Sequence, residues 1–155
     1  MSAVMAPAAL DRGADLSLGD EQRDFVEALR DFCARECTPE KLAALPGGGE
    51  DGHSDEMAAQ MAELGWYGLT IDEQYGGSGG TFFDATLFLE ETARGQAPIT
   101  GYGVTLIVAG ALNRFGTEEQ KADLLGRVAE GGTLAIAMSE PEAGSDVAAL
   151  ATKAR

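Results

Sequence analysis

Apolar residues recur at helical spacing along most of the chain, and the runs are punctuated by cap residues and glycines. From Asp20 to Cys37, Phe25, Leu29, Phe32 and Cys33 fall at i, i+4, i+7 and i+8, with Glu21, Arg23, Glu27 and Arg30 on other faces. This spacing predicts an amphipathic helix. Pro39 disfavours helical geometry at Thr38, and Pro46 to Gly49 followed by Glu50-Asp51-Gly52 reads as a flexible acidic loop. Ser54 caps a second helix, whose Met57, Met61 and Leu64 form a core stripe and which Gly65 stops at C′. Trp66 to Ile71 is a short apolar link into the glycine-rich loop 72–80. Thr81 and Asp84 open a helix that carries Phe83, Leu87, Phe88 and Thr92 and ends at Gly95. Thr100 to Arg114 is apolar on every side, which predicts a helix at the centre of a bundle. Its Gly101, Gly103 and Gly110 point to close backbone contact or a ligand channel. Thr117-Glu118-Glu119-Gln120 is a capping box for a fifth helix, through Leu124, Leu125 and Val128 to Gly131-Gly132.

Beyond Gly132 the period changes. Thr133 to Met138 is a short apolar segment compatible with a strand, and Ser139 to Asp146 is polar and rich in turn residues. The pattern predicts an all-α fold, a helical bundle over 17–132 with a short strand/turn segment at its C-terminal end. Residues 1–16, without period, read as a disordered tail.

Composition narrows the partners. The 155 residues carry 11 Lys and Arg against 26 Asp and Glu, a net charge of −15. Such a chain is repelled by phosphate backbones and by anionic lipid, so nucleic acid and membrane surfaces are not expected partners. No apolar run reaches the roughly 20 residues a bilayer needs. The N-terminus lacks the basic and apolar regions of a signal peptide, so a cytoplasmic address is expected. Cys33 and Cys37 have no second pair to complete a zinc site, and metal-ligand spacing is absent. His53, the single histidine, lies in a loop-like stretch that gives a catalytic triad no rigid support. The loop at Gly76 to Gly80 lacks the Lys-Ser/Thr of a P-loop.

The informative stretch is Ser139-Glu-Pro-Glu-Ala-Gly-Ser-Asp146. Two hydroxyls flank a proline-fixed turn and a glycine, so donors and free N–H groups can converge on a planar, acceptor-rich ligand or a phosphate. Spacing alone fits a plain capped turn equally well.

Ile136-Ala-Met-Ser-Glu-Pro-Glu-Ala-Gly-Ser-Asp146 closely resembles the signature of the acyl-CoA dehydrogenases, flavoenzymes that use FAD to oxidise acyl-CoA thioesters to enoyl-CoA. Phe115-Gly-Thr-Glu-Glu-Gln-Lys121 with Leu124-Leu125-Gly126 is similar to the family's helix upstream of it. Glu73-Gln-Tyr-Gly-Gly77 is similar to its glycine-rich loop, and Asp20-Glu-Gln22 to its opening helix.

The resemblance implies that residues 17–132 are the family's N-terminal helical domain and 133–155 the truncated start of its middle β domain. It implies an FAD site in which Ser139 meets the isoalloxazine ring and Ile136, Ala137 and Met138 line it, while Ser145 joins the cofactor contacts and touches acyl-CoA. Where the family commonly has an aromatic residue and Thr, this chain has Ile136, which removes a ring contact, and Ser139, which keeps the donor. The resemblance further implies an electron-transfer flavoprotein or similar acceptor and a homo- or hetero-oligomer when complete. The family's catalytic base comes from a C-terminal bundle, and none of the glutamates here holds its position. No catalytic residue is therefore assigned, and the chain alone is expected to be inactive. Two further readings remain: a non-catalytic helical interaction module or subunit of a heteromeric dehydrogenase, and a fragment of an acyl-CoA oxidase.

Overall fold

The computed structural model describes residues 17–45 and 52–153, so the expected tail and most of the acidic loop lie outside the described residues. Six α-helices are described: α1 (Asp20–Glu36), α2 (Pro39–Ala43), α3 (Asp55–Glu63), α4 (Phe82–Arg94), α5 (Tyr102–Phe115) and α6 (Glu118–Ala129), with one-turn helices at Glu73–Tyr75 and Val147–Ala149. Among the described residues there is no strand.

The starts obey local chemistry. The Ser54 hydroxyl accepts from the Met57 N–H (3.2 Å) at α3. Reciprocal boxes form at α4, between Thr81 and Asp84, and at α6, between Thr117 and Gln120. The short α2 is an addition to the expected elements: Thr38 caps it and Pro39 takes its first position, where a missing N–H costs nothing.

Two apolar clusters hold the bundle. The first joins Leu29, Phe32 and Cys33 of α1, Met57, Ala58 and Met61 of α3, Phe88 of α4, and Ile99 and Tyr102 at the head of α5. Its aromatic rings meet edge to face: Phe32 on Trp66 at 5.4 Å, Phe88 on Tyr102 at 4.8 Å and Tyr67 on Tyr102 at 4.9 Å. The second cluster joins Ile71, Ala109, Leu125 and Val128, with Leu134 packed against it. The apolar link contributes Tyr67 and Leu69 to the first cluster and Ile71 to the second.

That link is buried without being helical, so its carbonyls need donors from elsewhere. The glycine-rich loop supplies them: Ser78 N–H to Gly68 O (3.0 Å), Gly79 N–H to Ile71 O (2.9 Å) and Gly80 N–H to Leu69 O (2.7 Å). At Gly77 a Cβ would stand 2.1 Å from Ile71 O, so no side chain fits there. These amides are committed to the fold, which agrees with the absence of a P-loop signature.

Three expectations change. Leu64 is 52% exposed: it follows the last residue of α3 as the C-cap and leaves the Met57–Met61 stripe. Helix α5 is not enclosed on every side; Tyr102, Thr105, Leu106 and Ala109 are buried, whereas Val104 and Ile107 face outward, Ile107 at 62% exposure. Gly103 and Gly110 have no atom within 4 Å of a would-be Cβ, so within the described residues they serve no close helix contact.

One buried carboxylate ties α4 to α1. Glu91, 4% exposed, accepts two hydrogen bonds from the Arg30 guanidinium (2.9 and 2.7 Å), with Arg94 at 3.7 Å. The hydrogen bonds from Arg30 hold the Glu91 carboxyl below its ordinary value of 4.5, against the opposing effect of desolvation. A carboxylate with a lowered folded pKa stabilises fully above its unfolded pKa and loses that contribution as pH falls through the folded one. The stability gap between wild type and Glu91→Gln, followed by urea denaturation, is therefore largest near neutrality and closes as the solution is acidified. At neutral pH, Phe88→Ala is expected to cost about 3–5 kcal/mol because Phe88 is fully buried. Ile107→Ala stays within about 0.5 kcal/mol, as befits an exposed position.

Candidate functional site

The segment that carries the expected site residues leaves α6 through Gly131, whose φ is +96°, and runs over the flank of α5. Leu134 fastens it there. Its N–H donates to the Thr105 hydroxyl (2.9 Å), which itself donates to Gly101 O within α5 (2.9 Å). Thr105 is fully buried. A threonine in the middle of an apolar helix reads from sequence as filler, and the only signal of its role is that it stands on the buried face with Tyr102 and Ala109. It acts as the anchor of the site segment.

Beyond Leu134 the segment lies on the surface. Ile136 is 46% and Met138 50% exposed, and Ala137, Ser139 and Ser145 are exposed as well. The N–H groups of Ile136, Ala137, Met138 and Ser139 have no acceptor among the described residues, and neither does the Ser139 hydroxyl. Ile136 through Ser139 thus form one continuous strip of apolar side chains and free donors. Ser145 stands apart from it across a turn closed by the paired Glu140 and Ala143 (Glu140 N–H to Ala143 O 2.9 Å). Ala143 is buried and pins the turn. The Glu140 carboxylate accepts from the Thr152 hydroxyl and from the N–H groups of Ala151 (2.9 Å) and Thr152 (2.8 Å), which together lower its pKa. It is a structural carboxylate that folds the chain back on the signature, and those bonds occupy the oxygens a base would need.

A cavity of about 570 Å³ opens between α4 and α5, lined by Leu89, Thr92, Ala93, Ile99, Thr100 and Gly103 among others. It is predominantly apolar, as a site for a hydrocarbon chain must be. Phe83, 41% exposed, lies outside it, and Leu87 is buried in the bundle.

Two tyrosines and the single histidine are occupied by the fold. Burial pushes the Tyr67 phenol up to about 12 and the Tyr102 phenol higher still, so both stay protonated at neutral pH. His53 Nε2 lies 3.2 Å from Asp55, and the His53 backbone pairs with Ile99, so the histidine fastens a loop to the head of α5. Among the described residues no group of three His, Cys, Asp or Glu side chains could hold a metal ion, and no helix is long and apolar enough to cross a membrane. Thr105→Val keeps the shape and removes the hydroxyl, leaving the Leu134 N–H unpaired. It is expected to cost about 1–3 kcal/mol and to raise amide exchange at Leu134 and along the strip, measured by hydrogen exchange.

The family described as "Acyl-CoA dehydrogenase, N-terminal domain" matches residues 19–132. Acyl-CoA dehydrogenase FadE26 of Mycobacterium tuberculosis is 36% identical over 144 residues, covering 90% of this chain and 36% of that protein. The crystal structure of an acyl-CoA dehydrogenase from Geobacillus kaustophilus superposes with a TM-score of 0.72 at 31% identity, over 87% of this chain and 35% of that one. The ChsE4-ChsE5 complex from Mycobacterium tuberculosis superposes at 0.69 with 35% identity, again over 87% of this chain and 35% of its own. The chain therefore spans about a third of the length of the relatives it matches. A family match over most of the helical bundle, and relatives above 30% identity along nearly the whole chain, make this protein a member of the acyl-CoA dehydrogenase family.

Proposed function

We propose that this chain is the N-terminal part of an FAD-dependent acyl-CoA dehydrogenase and contributes one wall of its flavin and acyl-CoA site. The observation that carries the reading is the exposed strip from Ile136 to Ser139, with apolar side chains and donors that have no acceptor among the described residues. An exposed apolar strip with open N–H groups suits a ligand that is apolar on its faces and acceptor-rich at its edge. An isoalloxazine ring has that character, with apolar faces and a polar edge, so the residues present fit the group.

Ile136, Ala137, Met138 and Ser139 would hold FAD, which would supply a hydride acceptor for dehydrogenation of the acyl chain. The chain's own residues bind and orient. The Ser139 hydroxyl and the strip's N–H groups donate to the ring edge and favour the charge that builds there. Ile136 and Met138 exclude water from its face. Ser145, across the turn, meets acyl-CoA. The cavity between α4 and α5 and the outward face of α5, with Val104 and Ile107, wall the acyl chain. The catalytic base comes from outside this wall, and residues 133–155 are the opening of a middle β domain.

A second arrangement has a specific observation behind it. The ChsE4-ChsE5 relative is a complex of two named components, so this chain fits equally into a heteromeric dehydrogenase. In either arrangement the electron acceptor is an electron-transfer flavoprotein or its equivalent.

The purified 155-residue chain is expected to show no dye reduction with acyl-CoA and added FAD and to retain no flavin colour. Turnover by the chain alone overturns the half-site reading. In an assembled enzyme carrying this sequence, Ser139→Ala is expected to weaken flavin binding about tenfold, the worth of one hydrogen bond. Unchanged flavin affinity removes Ser139 from the site.

A further inference from the structure

Away from the strip, α1 ends on a pair of thiols that the proposed site does not use, Cys33 in the first apolar cluster and Cys37 packed against it. Cys33 and Cys37 are one turn apart, and both are free. Cys37 is the C-cap of α1, with φ −107° and ψ 37°, and its N–H reaches Cys33 O at 2.8 Å. The Cys37 thiol donates to Met57 Sδ at 3.9 Å. Both thiols line a surface recess of about 270 Å³ together with Arg30, Glu91, Arg94 and Gly95. A Cβ at residue 95 would stand 2.7 Å from the Cys33 sulfur, so glycine there leaves the sulfur its room against the end of α4. The two guanidiniums at its rim are paired, Arg30 with Glu91 and Arg94 with Glu90 and Glu91.

We propose that Cys33 and Cys37 form a redox site that a small hydroperoxide converts to an intramolecular disulfide, Cys33 reacting first and Cys37 resolving. The recess gives a small oxidant access to Cys33, and Cys37 stands one helical turn away on the same recess. The neighbouring Cys37 thiol holds the Cys33 thiol below its ordinary value, against the opposing effect of burial. In the first step the Cys33 thiolate sulfur attacks a peroxide oxygen. An S–O bond forms, the O–O bond breaks, and hydroxide leaves with the proton Cys33 gave up, as water. Sulfur is oxidised to the sulfenic acid and the peroxide is reduced. In the second step the Cys37 sulfur attacks the Cys33 sulfur, the S–O bond breaks, and a second water carries off the Cys37 proton. Residues one helical turn apart have Cα atoms about 6 Å apart, inside the range a disulfide spans, but their Cβ atoms must close by about 1–2 Å. Cys37 can make that move because it already stands outside helical geometry. Closure draws its sulfur away from Met57, so oxidation bears on the contact between α1 and α3.

The test is intact-mass analysis of the full chain after hydrogen peroxide, with thiols counted under denaturing, non-reducing conditions. The expected product is monomeric, has lost two hydrogens and both titratable thiols together, and returns to the starting mass with dithiothreitol. In Cys37→Ser, Cys33 is expected to accumulate as a sulfenic acid trapped by dimedone. Addition of oxygen without loss of the two hydrogens in the wild type, disulfide-linked dimers, or thiols that survive unchanged would each overturn the proposal. The wild-type measurement needs no variant, so it stands even if a substituted chain folds poorly.

Discussion

A buried stretch of chain that is not helical must find donors for its carbonyls outside itself, and here Gly68, Leu69 and Ile71 find theirs in the N–H groups of Ser78, Gly80 and Gly79. The contact is possible because residue 77 has no side chain to strike Ile71 O. Through it the segment from Trp66 to Ile71 stays threaded between the two apolar clusters, giving Tyr67 and Leu69 to one and Ile71 to the other. The second cluster holds α5 against α6 and receives Leu134, the residue from which the candidate site segment is hung. Loss of the glycine-rich clasp would free the link, then the α5–α6 pair, then the strip. The glycines of this loop therefore act on the candidate site through the position of the link they clasp.

The same bundle that packs α5 also leaves one side of it bare. Tyr102, Thr105, Leu106 and Ala109 satisfy the core, while Val104 and Ile107 present an apolar outer face, and Ile136 and Met138 of the strip are exposed as well. Both features leave apolar surface uncovered among the described residues. The proposed flavin and acyl-CoA wall accounts for them together, because a hydrocarbon chain and an aromatic ring system need apolar cover and the strip adds the donors that fix orientation.

Much of this was legible in the residues. Ser54, the Thr81/Asp84 pair and the Thr117/Gln120 pair mark helix starts because a hydroxyl three residues from an acceptor is a local signal that needs no tertiary context. Thr38-Pro39 is an equally local signal for α2, overshadowed by the reading of Pro39 as a terminator. What sequence leaves open is which partner an apolar face meets. Thr100 to Arg114 looks central because every side is apolar, but in this structure only one side has a partner, and periodicity does not tell a neighbour in the same bundle from a ligand or another domain. Thr105 was invisible for a related reason: its hydroxyl matters only once Leu134 has been brought alongside by packing some thirty residues later. The signature residues Ile136 to Ser139 were found by resemblance, since as a bare pattern they fit an ordinary turn.

The central claim is that the strip from Ile136 to Ser139 is an open half-site, held in place by Thr105 and Leu134 and completed from outside the chain. Hydrogen exchange of its amides tests this directly, in the chain alone and in an assembly supplying FAD and the remaining two thirds of an acyl-CoA dehydrogenase polypeptide. The account predicts rapid exchange along the strip in the isolated chain and strong protection in the flavin-bound assembly, with the core amides of α4 and α6 little changed. Equal exchange of the strip in both states would contradict it.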